Sequence, residues 1–291
     1  MKVGVHYSEA VGSNPAGDDY IRVAQHAEML GYHSLWVGDH IVIPKTIHAA
    51  YPYTSDGSIG FPPNTPWPDP LTLLSAIGAC TKKILLGTGI TVVPYRNPIH
   101  VAKAVATADM MSNGRLVFGV GVGWFQEEYQ ALGVPFSERG TLTDEYLRIM
   151  KAMWTGGDTT FKGRYFSLPD MHVNPLPVQK PHPPIMIGGQ GIPAFKRVVE
   201  LGDGWLSGPI PPAELRSQTK LLSAMMTDAG RKISDIKLAT VIYPEFAREN
   251  KHELASLEET GFGEIVLYLR NIASADAACH ELDILAKALI A

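Results

Sequence analysis

Short β-branched or apolar runs bounded by turn residues recur at about residues 2–7, 34–38, 84–92, 115–121, 185–188, 204–207, 236–242 and 264–269, and each has the length and composition of a strand. Between them the apolar positions switch to helical spacing. Tyr20, Val23, Ala24, Ala27 and Leu30 form one stripe, and Leu142, Tyr146, Ile149, Met150 and Met153 a second. Ala278, Leu282, Leu285, Ala286 and Leu289 form a third. Eight strands alternating with helices call for parallel pairing through right-handed crossovers. At 291 residues the expected α/β solution is a closed (β/α)8 TIM barrel, read as one domain over 1–291, with a doubly wound open sheet as the alternative.

Two stretches break the repeat. Residues 41–68, rich in proline, glycine and aromatics, follow the second strand and far exceed the usual α/β connection of about two to six residues. The aromatics there, Tyr51, Tyr53, Phe61 and Trp67, predict a packed lid over the catalytic end of the barrel; a surface excursion is the other reading. Residues 155–184 read as an insertion between the fourth and fifth strands. In it TTFKGRYFSL predicts a hairpin turning at Lys162-Gly163, and VNPLPVQKPHPP an extended connector.

Composition narrows the function classes. With 45% hydrophobic and 19% charged residues the chain can bury one sizeable core. Its 25 basic and 29 acidic residues give a net charge of −4, and no Lys/Arg run supplies the electrostatic footprint of a nucleic-acid binder. The chain enters its first strand without an apolar leader and has no long apolar span, so neither secretion nor a membrane partner is expected. Cys80 and Cys279 lie far apart in helical segments without metal-ligand spacing; they are expected to be inert core residues in a reducing cytoplasm.

The candidate chemistry gathers at the C-terminal ends of the strands, the face where barrel enzymes build their sites. The run RLVFGVGVGW, Arg115 to Trp124, ends a strand with glycines at every second position. Such glycines let a flat ring or a phosphate approach the backbone, or let a strand pack tightly on its own helix. Spacing excludes the dinucleotide fingerprint G-x-G-x-x-G, because its third glycine would fall on Trp124. After the second strand come Asp39 and His40. A histidine is the economical acid/base at neutral pH and a neighbouring carboxylate can orient it; the bland alternative is a helix cap beside a surface histidine. Gly89 on the third strand is a place where the chain can press against a ligand. Gly188, Gly189, Gln190 and Gly191 precede a helix and offer amides to a phosphate, or simply make a tight turn. Strand one carries His6 alone, and neither H-E-x-x-H, clustered Cys/His nor G-x-S-x-G occurs, so no metal site and no serine nucleophile are expected. A glycine-walled mouth with an Asp-His pair and an aromatic lid suits a flat, phosphate-bearing cofactor that carries the hard chemistry itself.

The segments GYHSLWVGDH, LLGTGITVVPYRNP, NGRLVFGVGVGWFQEEYQALGVPFSERG, TDEYLRIMKAMWTGG, HPPIMIGG and LGDGWL resemble the luciferase-like monooxygenase superfamily, and within it the branch that uses the 5-deazaflavin coenzyme F420. The resemblance implies a (β/α)8 barrel, frequently a homodimer, with the deazaflavin ring across the mouth and its tail phosphate on the 188–191 loop. It implies that Asp39 and His40 lie beside the ring, His40 near the hydride-carrying carbon. It also implies that Gly89-Ile90, followed by Thr91, is the site where relatives often hold a non-proline cis peptide, and that Gly121, Val122, Gly123 and Trp124 line the cofactor. Three departures bear on the substrate. Trp124 stands where the sugar-phosphate dehydrogenases of the branch have a catalytic Glu, and Pro44 where they have a Trp. After GDGWL the chain reads SGPIPP, with no lysine for a substrate phosphate. At Val122 the flavin-using luciferases place an Arg for the FMN phosphate. The expected activity is hydride transfer between coenzyme F420 and a small organic substrate, with Tyr51, Tyr53, Trp67 and Tyr95 as an apolar substrate pocket or as packing. The alternative is an FMN-dependent two-component monooxygenase of the same superfamily. In either case a separate cofactor-reducing enzyme is an expected functional partner.

Overall fold

All eight predicted strand segments form, and they pair in chain order: β1 (Lys2–His6), β2 (Ser34–Val37), β3 (Leu85–Thr88), β4 (Leu116–Gly121), β5 (Ile185–Gly188), β6 (Gly204–Ser207), β7 (Lys237–Ile242) and β8 (Glu264–Tyr268). Every neighbouring pair is parallel, and β8 closes on β1 in a register running from Lys2 opposite Glu264 to His6 opposite Tyr268. The sheet is therefore the closed (β/α)8 barrel that the alternating pattern predicts. These details come from a computed structural model that describes residues 1–7, 11–54, 56–270 and 272–290.

The helical stripes bury as their spacing requires. Tyr20, Val23, Ala24 and Ala27 face the barrel from the helix Gly17–Met29, as do Leu142, Tyr146, Ile149, Met150 and Met153 from Arg139–Trp154. Two helices begin at Asx-Pro pairs: the Asp69 carboxylate accepts from Thr72 N–H ahead of Pro70–Cys80, and the Asn97 side chain accepts from Ile99 N–H ahead of Pro98–Met111. One expectation fails here. Cys80, the last residue of its helix, is exposed, because the buried face of Pro70–Cys80 is carried by Leu71, Leu74 and Ile77. Cys279 is half-buried.

The barrel interior is organised by Trp36. Its indole packs with Val117, Met186, Leu206, Ala239 and Val266, and its N–H donates to Ser34 Oγ at 2.6 Å, whose hydroxyl in turn donates to Glu264. Room for the ring comes from glycine: a Cβ on Gly87 would stand 2.3 Å from the Trp36 ring, and one on Gly119 1.9 Å from the Thr88 carbonyl oxygen. So Gly119, the first glycine of the alternating run, is required by strand packing and not by a ligand. The third apolar run is also shorter than its pattern suggests. It breaks after Thr88 and resumes as Thr91–Val92, and the Gly89-Ile90 peptide between the two pieces, at the site where the resemblance says relatives often hold such a bond, is cis.

Residues 41–68 contain no helix or strand among their described residues and fold over the C-terminal mouth. The insertion after β4 is an antiparallel hairpin, Thr159–Lys162 with Ser167–Met171. Its turn is held by one carboxylate: Glu145 accepts from the N–H groups of Arg164, Tyr165 and Phe166 at 2.7–2.8 Å. The connector beyond it carries cis peptides before Pro175 and Pro181. Among the described residues no helix is long and apolar enough to cross a membrane, and no cluster of three His, Cys, Asp or Glu side chains could hold a metal ion.

Candidate active site

The C-terminal ends of the strands and the overlying lid enclose a cavity of about 380 Å³. Gly38, Gly89, Gly121 and Gly188, each just at or beyond a strand end, form part of its wall. The roof is the lid, seated through close contacts that only glycine permits. A Cβ on Gly208 would come 2.3 Å from the Tyr53 ring, and one on Gly38 2.8 Å from Trp67.

Two adjacent carboxylates of the short helix Gln126–Ala131 fasten the lid's first half. Glu127 accepts from His48 N–H at 2.7 Å and Ala49 N–H at 3.0 Å. Glu128, fully buried, accepts from Ile41 N–H and from Val42 N–H at 3.1 Å through Oε1. Its other oxygen, Oε2, accepts from the Tyr95 hydroxyl at 2.9 Å and meets His40 Nδ1 at 3.0 Å. A carboxylate surrounded by donors has only acceptor capacity, which assigns the Nδ1 proton to His40 and leaves Nε2 as the ring nitrogen free for the cavity. The imidazole is ringed by aromatics, with centroids at 4.8 Å to Trp67, 5.4 Å to Phe61, 5.9 Å to Phe125 and 6.3 Å to Trp124.

Asp39 takes a different partner from the one its position beside His40 suggested. Its carboxylate receives both guanidinium nitrogens of Arg96 at 2.7 and 2.8 Å, and Val92 N–H at 2.9 Å. Arg96 also reaches Asp69, the cap of the helix after the lid, at 2.8 Å. Burial pushes the Asp39 carboxyl above the ordinary carboxylate range, and the Arg96 ion pair opposes that push without cancelling it. Asp39 is thus a brace between β2 and the segment after β3. The histidine's carboxylate is Glu128.

His6 ends β1 at the wall of the cavity. Burial lowers its pKa to about 4, against a smaller upward effect of its hydrogen bond to the Gly89 carbonyl at 2.9 Å through Nε2. A neutral ring that donates through Nε2 has an acceptor at Nδ1, and this atom has no partner among the described residues. Trp67 Nε1 and Gln190 Oε1, on two other wall residues, are likewise buried without partners.

The sequence-predicted residues mostly converge. Asp39 and His40 line the cavity, as do Gly89 and Ile90 after β3 and Gly121, Val122, Gly123 and Trp124 after β4. Gly188, Gly189 and Gln190 complete that side, with Tyr51, Tyr53, Trp67 and Tyr95 contributing from the lid and from the turn after β3. Two predicted residues stand outside the wall. Thr91 is buried in its pairing with Val120 of β4, and the Gly191 N–H donates to Gln218 Oε1 at 3.1 Å, so neither faces the mouth. Tyr95 faces the cavity, but its hydroxyl is committed to Glu128. Sequence reasoning passed over Glu128, Arg96 and the partnerless side of His6. The available signal was the Glu127-Glu128 pair three residues beyond the glycine run, between two aromatic positions, Phe125 and Tyr129.

Residues 1–260 match the family profile described as Luciferase-like monooxygenase. An uncharacterised protein of Mycobacterium tuberculosis is 31% identical over 277 residues, covering 95% of this chain and 96% of that one. The F420-dependent glucose-6-phosphate dehydrogenase of Amycolatopsis mediterranei is 30% identical over 251 residues, 84% of this chain and 69% of the enzyme. A monooxygenase structure from Streptomyces bottropensis superposes with a TM-score of 0.80 at 19% identity, covering 100% of this chain and 99% of its own. The coenzyme F420-dependent tetrahydromethanopterin reductase of Methanopyrus kandleri gives 0.74 at 17% identity, with coverage of 100% and 99%. The oxygenating constituent of 3,6-diketocamphane monooxygenase from Pseudomonas putida, in complex with FMN, gives 0.76 at 14% identity, with coverage of 99% and 98%. These three structures share the barrel. With the profile match spanning its barrel strands up to β7 and relatives aligned over most of its length, the chain belongs to the luciferase-like monooxygenase family.

Proposed function

We propose that this oxidoreductase moves a hydride between coenzyme F420 and a small organic substrate, with His40 exchanging the accompanying proton. The observation that carries the reading is the His40–Glu128 dyad, its free nitrogen available to a cavity under an aromatic lid. Support for the deazaflavin comes from the F420-dependent relative at 30% identity. Acceptors at His6 Nδ1 and Gln190 Oε1 and a donor at Trp67 Nε1 suit a heterocycle edge that mixes N–H groups with a carbonyl, an edge that flavin and deazaflavin share.

When bound, coenzyme F420 supplies two-electron hydride chemistry, since carbon replaces the flavin N5. The chain's own residues do the rest. Glu128 fixes the His40 tautomer and stabilises the ring when it is charged, so that Nε2 can give or take a proton at the substrate oxygen. Gly38, Gly89 and Gly188 contribute backbone to the wall, with Trp67, His6 and Ile90 packed where a Cβ would stand. The lid, pinned by Glu127 and Glu128, keeps bulk water from the reacting carbon.

The test uses His40→Gln with oxidised F420 and a panel of neutral alcohols, read by bleaching of the deazaflavin absorbance. Turnover falls by about 10²–10⁴ while F420 affinity stays at the parent value. Parent-level turnover in the variant, or FMN-dependent oxygen consumption by the parent, refutes the assignment.

A further inference from the structure

The face of the barrel opposite His40 carries a second cavity, of about 390 Å³, built where strands begin. Lys2 opens β1, His33 directly precedes β2, and Ile84 directly precedes β3. Helix ends close it: Gly31 and Tyr32 follow Gly17–Met29, and Leu289 and Ile290 end the chain's last helical segment. Its buried lining is apolar. Val3, Tyr32 and Ile84 are 6%, 3% and 2% exposed, and the Tyr32 hydroxyl is spent on the Leu282 carbonyl at 2.9 Å.

The charge around this lining is unbalanced, because the acids near it are already committed. Glu28 accepts from the N–H groups of Lys82, Lys83 and Ile84 at 2.8, 2.6 and 3.0 Å. Arg115, whose guanidinium otherwise meets only carbonyl and hydroxyl oxygens, supplies its countercharge. Glu258 holds the Met1 amine at 2.6 Å, and Glu264, opposite Lys2 across the β1–β8 pair, accepts from the Ser34 hydroxyl. Lys2 and Lys83 are left without an ion pair among the described residues, and the His33 ring without a hydrogen bond. Burial lowers the His33 pKa, and the charges of Lys2 and of Lys237, which opens β7, lower it further. The rim is therefore electropositive.

The geometry points to a second ligand site on this face, taken by a small organic carboxylate with an apolar body. The body lies against Val3, Tyr32 and Ile84, and the carboxylate meets Lys2, Lys83 and the His33 imidazole. Either half of such a ligand alone fits less well. An exposed lysine adds little to an ion pair, so a bare inorganic anion gains little at the rim; a neutral hydrocarbon leaves the cations unmatched. The volume falls within the roughly 300–1,000 Å³ of ligand sites. Because this cavity lies at the other end of the strands from the mouth, the proposal does not depend on which cofactor the mouth takes.

Nitrogen-15 imidazole spectra of the full chain, with His33 assigned by its absence in His33→Gln, read the site during titration with butyrate, hexanoate and octanoate. Octanoate is expected to bind with submillimolar Kd and to raise the His33 pKa. Each methylene that leaves water tightens binding by about fourfold, so octanoate exceeds hexanoate by about tenfold or more. Acetate, inorganic phosphate and 1-octanol bind at least about tenfold more weakly than octanoate. The double variant Lys2→Gln with Lys83→Gln, both exposed positions, stays folded by circular dichroism and weakens octanoate about five- to tenfold. Octanoate affinity within about twofold of the parent in that variant overturns the site. So does a His33 response to phosphate equal to that with octanoate, no His33 response at all, or a response at His6 and His40 in its place, which would seat the carboxylate in the mouth.

Discussion

Glu128→Gln isolates the contact on which the proposed chemistry rests. The buried carboxylate receives four donors: the Ile41 and Val42 amides on Oε1, and the Tyr95 hydroxyl and His40 Nδ1 on Oε2. A glutamine of the same shape keeps its carbonyl for the two amides and turns an NH₂ group toward His40 and Tyr95. The tyrosine hydroxyl can rotate to accept. His40 cannot keep its Nδ1 proton against another donor, so it shifts to the Nε2–H tautomer. Hydrogen bonds to a charged group contribute about 1.5–3 kcal/mol and neutral ones about 1 kcal/mol. All four bonds lose their charge, and the Tyr95 hydroxyl gives up the acceptor it donated to, so the expected cost is about 2 kcal/mol or more of unfolding free energy. Two measurements read the change. Urea unfolding gives the stability loss from the shift in midpoint at constant slope. Nitrogen-15 imidazole spectra, with the His40 signal assigned among the ten histidines by its absence in His40→Gln, report the tautomer directly. An unchanged Nδ1–H tautomer in Glu128→Gln refutes the claim that this carboxylate orients the ring, whatever the stability does.

Other expectations follow from the same contacts. Arg96→Met leaves Asp39 buried without its cation and lowers stability by about 3–5 kcal/mol in urea unfolding. Adding Asp39→Asn to that variant restores part of the loss, and strict additivity of the two changes contradicts the pairing. Gly87→Ala drives a methyl into the Trp36 ring and costs about 1–3 kcal/mol; Trp36→Leu in the same chain relieves the clash, so the double variant is more stable than the sum of the singles. His6 is neutral in the folded state down to about pH 4 but titrates near 6.5 when unfolded. The unfolded state therefore binds more protons between those values, and stability falls as pH drops through this window, by on the order of 3 kcal/mol in all from this residue. His6→Gln removes that component, so the difference in stability between parent and variant changes across pH 6.5 to 4; parallel curves contradict it.

Much of the fold was legible because it is written in local periodicity. Strand runs and stripes such as Leu142 to Met153 need only their own spacing to declare which face is buried. The lid was legible as an anomaly of length and aromatic content. The site was less so, because its decisive partners are remote: His40 meets Glu128 across 88 residues, and Asp39 meets Arg96 across 57. Adjacency suggested that Asp39 would serve His40, yet neighbouring residues on an extended chain point apart, and each found its partner on a different element. The glycine run shows the same limit. Gly119 answers to the Thr88 carbonyl and Gly87 to Trp36, while Gly121 gives way to the Ile90 side chain, so one alternating pattern served strand packing as well as the cavity. No property of the run itself separates those uses. The folded contacts do.

Equilibrium dialysis of the purified chain against coenzyme F420 and, separately, against FMN bears most directly on the central claim that the cavity serves a deazaflavin. The account predicts micromolar or tighter binding of F420, at least about tenfold tighter than FMN, a preference of roughly 1.4 kcal/mol or more. Micromolar or tighter binding of FMN with no binding of F420 contradicts it.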